Sequence, residues 1–527
     1  MNGVDLTLLV LVLALVSAAA ARRVSVPMPV VLATAGIAVG IAWRLAGLPD
    51  IRVPPQRVLF VFLPPLLTSA AYALPLAGVR RNARAIGVLA IGLVLTTMVA
   101  AAVVTRLSLA LPWAVAFALG AIVAPPDPVA ATTVATRTGL SHRLVVILEG
   151  EGLVNDATAI VAYHLAVDPA TTGHFTWTGA LLTLAREAPT GVLVGLVVGW
   201  LVTVVRRRLD DATLEAGISL LAPYLTYEIA DRIQGSGVLA VVTLGFMLQR
   251  HRTEIGSPAV RIATNTVWAA VRFVTSVLVF FLLGVFIAEI VIASSHDWSI
   301  LAPAVMLAGV VVGLRLGWMF AVPPLLHALA GGREPLPSRK ELTVLGWAGM
   351  RGVVSLALAL AFPRLPGTSP AGETRHTVIL LTFGVILVTL LVQGGTIAPL
   401  IAWLGIGDPR RDERDEARVR ARARLAGAAA VARSAREDSL PAESCRALTE
   451  LVDSGDVGIA SAGLSPTPEG ARRALECALD AQRRMLDHMR DLGRVGESLA
   501  EQLATEIDAD VTRVRGEPAR ITGEDVG

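Results

Sequence analysis

Apolar residues along the chain gather into thirteen runs, near 5–21, 28–47, 57–77, 85–107, 112–135, 143–166, 179–205, 213–231, 236–250, 264–293, 299–329, 341–362 and 376–404. Most approach or exceed the roughly 20 residues needed to cross a bilayer as a helix; the run 236–250 is short. The pattern predicts an all-α polytopic membrane protein with about 13 transmembrane helices. After residue 407 the pattern changes. Residues 410–436 are rich in Arg, Ala and Glu and predict a helix, and Pro441 and residues 461–468 interrupt. Leu475, Leu479, Leu486, Met489, Leu499, Leu503 and Ile507 then recur at helical spacing. The chain thus divides into a membrane domain, 1–407, and a helical tail, 408–527. The plain reading of the tail is solvated helices packed on themselves or on a twin; the other is a regulatory element.

Composition agrees. Of 527 residues 54% are hydrophobic and 17% charged, and mean hydropathy is +0.64, which excludes a soluble enzyme on one anchor. The tail carries 19 Arg and 24 acids, net −5, leaving net +8 on the membrane part. That positive charge belongs to loops, not to a nucleic-acid surface. With the N-terminus outside, alternate loops hold sixteen Lys or Arg inside and five outside, as the positive-inside rule requires. An odd span count then puts the C-terminus in the cytoplasm, with the chain in the plasma membrane. The first apolar run has no preceding positive charge and two following arginines, the wrong order for a cleaved signal. Both cysteines, Cys445 and Cys477, lie in the tail; nothing implies a disulfide framework or a cofactor.

Inside this apolar background sits Leu148-Glu149-Gly150-Glu151-Gly152-Leu153-Val154-Asn155-Asp156-Ala157. Carboxylates are expensive in hydrocarbon, so an intramembrane acid is a functional-site candidate. On a helix Glu151 and Asn155 share a face, and Glu149 nearly aligns with Asp156. Glu149, near a span end, is either part of the site or an end residue reaching for water. A second acid, Asp127, is flanked by Pro125, Pro126 and Pro128. Each proline removes a backbone donor, giving either a simple kink or an interrupted helix; irregular backbone at membrane depth must be buried or line a cavity. In the late span Gly346-Trp347-Ala348-Gly349-Met350-Arg351-Gly352-Val353-Val354-Ser355 is glycine-interrupted and carries Arg351 at depth. A buried arginine needs a partner, and Glu151 is the expected one. Two interrupted spans in matching halves predict inverted repeats whose broken helices cross at a binding site. Glu228 and Glu289 read as interfacial, Arg272 as paired with lipid phosphate or an acid, Arg315 as a deeper structural residue, and His164 as a polar anchor.

At Pro126-Asp127-Pro128-Val129, at Glu149 to Ala157 and at Gly349 to Ser355, the chain resembles the monovalent cation/proton antiporters of the electroneutral Na+/H+ exchanger type. The resemblance reaches to about Trp403, and its middle motif is highly specific. It implies that Asp156 alternates between proton and cation, that Asp127 is a second acidic ligand for Na+ or K+, and that Glu151 and Arg351 form a steadying ion pair. Asn155 stands where electrogenic relatives carry aspartate, which implies electroneutral exchange for pH and cation homeostasis. Glu149, Pro126, Gly152 and Ser355 are accessory candidates. Pro126 and Gly152 replace a threonine and a serine common in bacterial members, removing two hydroxyls and leaving the choice among Na+, K+ and Li+ open. The resemblance also implies a homodimer, with lipid, cation and proton as its other partners. It implies no enzyme. The alternatives are a cation or proton channel using the same acids and an intramembrane aspartyl protease; the protease leaves Asn155 and Arg351 unexplained.

Overall fold

The computed structural model describes residues 3–21, 23, 26–47, 55–74, 76–127, 142–172, 176–209, 211–251, 258–293, 300–329, 337–365, 373–406, 411–437, 441–454, 469–492, 495 and 497–515. Among the described residues there are nineteen helices and no strand. The membrane part comprises α1 (Gly3–Ala21), α2 (Met28–Leu45), α3 (Pro55–Ala73), the short α4 (Leu76–Arg81), α5 (Ala83–Leu109), α6 (Trp113–Val123), α7 (His142–Thr172), α8 (Trp177–Arg206), α9 (Ala212–Arg232), α10 (Gly237–Arg250), α11 (Pro258–Ala293), α12 (Leu301–Leu329), α13 (Arg339–Trp347), α14 (Val353–Ala361) and α15, which runs from Glu373 to Leu404. Six of these helices are individually long and apolar enough to cross a membrane. A helix falls on every expected apolar run, the short α10 included. The fold is an all-α polytopic membrane protein.

Two runs break as their composition predicts. In the described part of the run 112–135, α6 ends at Val123 and 124–127 are irregular; Pro128, Val129 and Arg137 lie outside the described residues. The run 341–362 divides into α13 and α14 around the irregular 348–352. A capping box starts α13, with Ser338 and Glu341 each bonded to the other's main chain. α15 carries a π turn at Thr389–Gln393, beside the second break.

With lipid outside the bundle, burying apolar surface does little to draw helices together, so small residues and close contact do the work. At the α2–α11 crossing, a methyl added at Gly36 would overlap the Phe281 carbonyl, and one at Gly284 would overlap that of Ala33. On α8, Gly195 and Gly199 meet Ala240, Thr243 and Met247 of α10 in the same way.

Among the described residues of the tail there are four helices: α16 (Arg411–Glu437), α17 (Ala442–Ser454), α18 (Glu469–Asp491) and α19 (Glu497–Arg515). They bury a hydrophobic cluster of their own that includes Val431, Leu448, Leu475, Leu479 and Leu503. This cluster sits against the membrane part through polar contacts. Arg261 of α11 donates to both oxygens of Asp508, at 3.1 and 2.6 Å, and Arg483 reaches the same carboxylate at 3.2 Å. Arg81 donates to the Leu492 carbonyl at 2.8 Å.

Candidate functional site at the helix crossing

The two breaks meet. The Asp127 amide donates to the Met350 carbonyl at 2.6 Å, joining two irregular segments whose freed backbone groups would otherwise be unpaired at membrane depth. Asn155 Nδ2 of α7 donates to the Pro126 carbonyl at 3.2 Å, and the Arg351 amide donates to Thr389 Oγ1 in the π turn at 3.1 Å. Side chains at Asn155 and Thr389 thus hydrogen-bond backbone groups of the two irregular segments. Gly352 is required by proximity, since any Cβ there would overlap the Asp127 carboxylate.

Beside the crossing lies a cavity of about 300 Å³. Asp127, Glu149, Gly152, Asp156 and Ser355 all line it, with Pro126 and Gly352 at its wall. Three acids and three serine hydroxyls around a small cavity make a ligand set for a small hard cation or for protons. Ser355 Oγ and Asn155 Oδ1 are buried and have no hydrogen-bond partner among the described residues. Glu149 thus belongs to the cavity lining, not only to a span end. Ser69, Ser276 and Arg272 also line the cavity. The two serines are not marked in the sequence, because one hydroxyl in an apolar helix gives no distinctive signal.

Three predicted residues stand behind the cavity instead of lining it: Asn155, Glu151 and Arg351. Here one expectation is corrected. Glu151 is held by Arg315 of α12, not by Arg351. Arg315 Nη2 donates to Glu151 Oε2 at 2.9 Å, and Nη1 bonds the other oxygen; both side chains are 1% exposed. Arg315 Nε also donates to the Leu345 carbonyl of α13 at 3.2 Å. Gly349 explains the choice, since a Cβ there would overlap the Arg315 side chain; the glycine opens the path by which Arg315 reaches Glu151. Arg351 is buried at 2% exposure within electrostatic range of both charges. Its Nε and Nη1 make no hydrogen bond among the described residues.

The other intramembrane charges separate cleanly. Glu228 pairs with exposed Arg232 at 2.7 Å, an interfacial arrangement. His164 lies 3.5 Å from Glu187. Arg272 lines the cavity and reaches Glu501 of the tail at 3.9 Å. The side chain of Glu289 lies outside the described residues.

A helix split at 348–352, joined to the irregular end of α6 beside acids that line a cavity, is the arrangement of a secondary transporter. The family model for the transmembrane sodium/hydrogen exchanger matches residues 9–403. The Na+/H+ antiporter ApNhaP of Aphanothece halophytica is 31% identical over 388 residues, covering 73% of this chain and 72% of that protein. NhaH of Halobacillus aidingensis is 31% identical over 392 residues, covering 71% and 92%. The solved sodium proton antiporter MjNhaP1 of Methanocaldococcus jannaschii shares the fold, with a TM-score of 0.59 over 76% of this chain and 98% of that one, at 20% identity. The chain belongs to the transmembrane sodium/hydrogen exchanger family and is an antiporter; the channel reading is not favoured.

Proposed function

We propose that the protein exchanges H+ for Na+ at Asp156 and Asp127, one for one, in the plasma membrane, with the N-terminus outside and the tail in the cytoplasm. The observation that carries this is the shared cavity: both acids open on one volume at the crossing. A carboxylate there holds a proton or a cation, not both, because each neutralises the charge that attracts the other. Rocking of the crossed-helix bundle would present the cavity to either side in turn. Asn155 supports electroneutrality, since it contributes no charge and ties α7 to the Pro126 carbonyl. Ser69, Ser276 and Ser355 supply hydroxyls in place of those missing at positions 126 and 152. Na+ is chosen because the named relatives carry sodium in their names; K+ and Li+ are the competitors to test. The work is transport, with no enzymatic step, and a second copy of the chain is expected as partner from the resemblance.

The tail, 408–527, reads as regulatory. Its Glu501 holds Arg272, a residue of the cavity lining, so the tail reaches the ion pathway directly. Orientation is supported by the arginines that meet the tail, Arg81 and Arg261, which belong to the loop set read as cytoplasmic.

The test is Asp156→Asn in proteoliposomes. Cation-driven recovery of a proton gradient should vanish for Na+, K+ and Li+ while the protein still inserts. Wild-type gradient dissipation by this variant would overturn the assignment. Voltage-insensitive exchange by the native chain would support the one-for-one ratio.

A further inference from the structure

A second, larger cavity of about 780 Å³ lies between the membrane part and the tail, and exchange makes no use of it. Leu76, Leu196, Phe246 and Met247 give it an apolar portion of wall. The lining is also basic. Arg80 of α4 and Arg250 at the end of α10 come from the membrane part, and Arg484 and Arg490 come from α18 of the tail.

The charge is unbalanced. Among the described residues one carboxylate lines it, Asp487, and it already pairs with Arg490 at 3.4 Å and with Arg483 at 3.5 Å. Arg80, Arg250 and Arg484 are exposed, and none forms an ion pair among the described residues. Loop arginines near a membrane are ordinary. Arginines that face one another from two bodies across a gap are not, because like charges oppose the closure that places them there. An interface built this way calls for an anion between its faces, and arginine's planar fork matches phosphate.

The apolar wall identifies the anion's carrier. Leu196 lies on α8 ten residues before its end at Arg206, about 15 Å along the helix axis. Its neighbours Leu193, Val197 and Trp200 are 55–61% exposed on the outer surface of the bundle. The same cavity therefore offers arginines for a phosphate and, at Leu196, an apolar wall adjoining the exposed outer surface of the bundle. We propose that it is a binding site for an anionic phospholipid, with the headgroup phosphate among Arg80, Arg250 and Arg484 and an acyl chain along Leu196 and Met247. The lipid would serve as the counter-ion that joins tail to membrane part.

The experiment uses the full-length purified protein. Native mass spectrometry measures half-saturation by phosphatidylglycerol and by phosphatidylcholine, with and without inorganic phosphate. Phosphatidylglycerol should bind more tightly than phosphatidylcholine. Arg484→Gln should weaken it about five-fold, and adding Arg80→Gln should cost a similar factor again. Leu196→Trp, which fills apolar space in the cavity without removing a charge, should weaken it too. Arg472→Gln, elsewhere on α18, should change nothing and controls for folding. Equal affinity for both lipids, or full phosphatidylglycerol affinity in the double arginine variant, would overturn the site. Competition by inorganic phosphate at equal concentration would assign a soluble anion and overturn the lipid.

Discussion

Arg315 and Glu151 form a two-pronged ion pair inside the membrane part, each 1% exposed, with Arg315 also bonded to the Leu345 carbonyl. The pair fastens α12 to α7 and to the half-helix α13. Breaking a buried pair leaves an uncompensated charge and costs about 3–5 kcal/mol. Arg315→Ala should therefore lower the melting temperature sharply, and more than Arg351→Ala. Removing both charges together, as in Glu151→Leu with Arg315→Met, should recover most of the loss. A double variant no more stable than Arg315→Ala alone would show that the pair is not what matters there.

Gly352 tests the crossing. The alanine methyl would overlap the Asp127 carboxylate, so Gly352→Ala should displace that acid while the fold survives. A shift of about 1 Å at a reacting group can cost 100-fold, and a rise of that order in the half-saturating cation concentration is expected. Gly395→Ala, where a methyl meets nothing within 4 Å, is the matched control and should transport normally.

Asn155→Ala removes the donor that meets the Pro126 carbonyl. A buried carbonyl left unpaired costs about 1–3 kcal/mol. The variant should unfold earlier on heating and exchange more slowly, without generating current. Measurable current in proteoliposomes would contradict the role given to this amide.

On the tail, Asp508 receives Arg261 and Arg483 while only 3% exposed. Asp508→Asn should loosen α19 from α11, seen as faster amide exchange across Glu497–Arg515. If the tail restrains transport through Arg272, Glu501→Gln should alter the rate without altering exchange protection in α18. Unchanged transport in both variants would remove the regulatory role.

Acid should loosen the tail as well. Burial pushes Glu506 up, but hydrogen bonds from Arg420 and Gln502 pull harder, holding its carboxyl below the ordinary 4.5. A depressed value stabilises the fold above the unfolded pKa, and that stability is lost as pH falls through the folded one. Exchange protection in α16 and α19 should therefore drop as pH falls below about 4.5. In Arg420→Gln the drop should be smaller. Both side chains are partly solvated, so the effect is modest and weakens with salt.

Much of this was legible in the residues. Apolar length located the helices, and the prolines beside Asp127 and the glycines beside Arg351 located the breaks, because each removes a backbone constraint or a donor. The partner of Glu151 was not legible. Two arginines at similar depth competed for one acid, and the space left by Gly349 decided between them. Nor was the bond from Asp127 to Met350, since main-chain atoms leave no trace in residue identity. The cavity serines and the Arg272–Glu501 contact join segments far apart in sequence, and no local pattern announces them.

The link between Asp127 and Met350 has a consequence for how such a chain changes over time. It is made by an amide and a carbonyl, which every ordinary residue possesses. Substitution around it can alter the side chains offered to the ion while the frame keeps its shape. A proline at 126 and a glycine at 152 are then tolerable departures, retuning the preferred cation while the machine that moves it stays assembled.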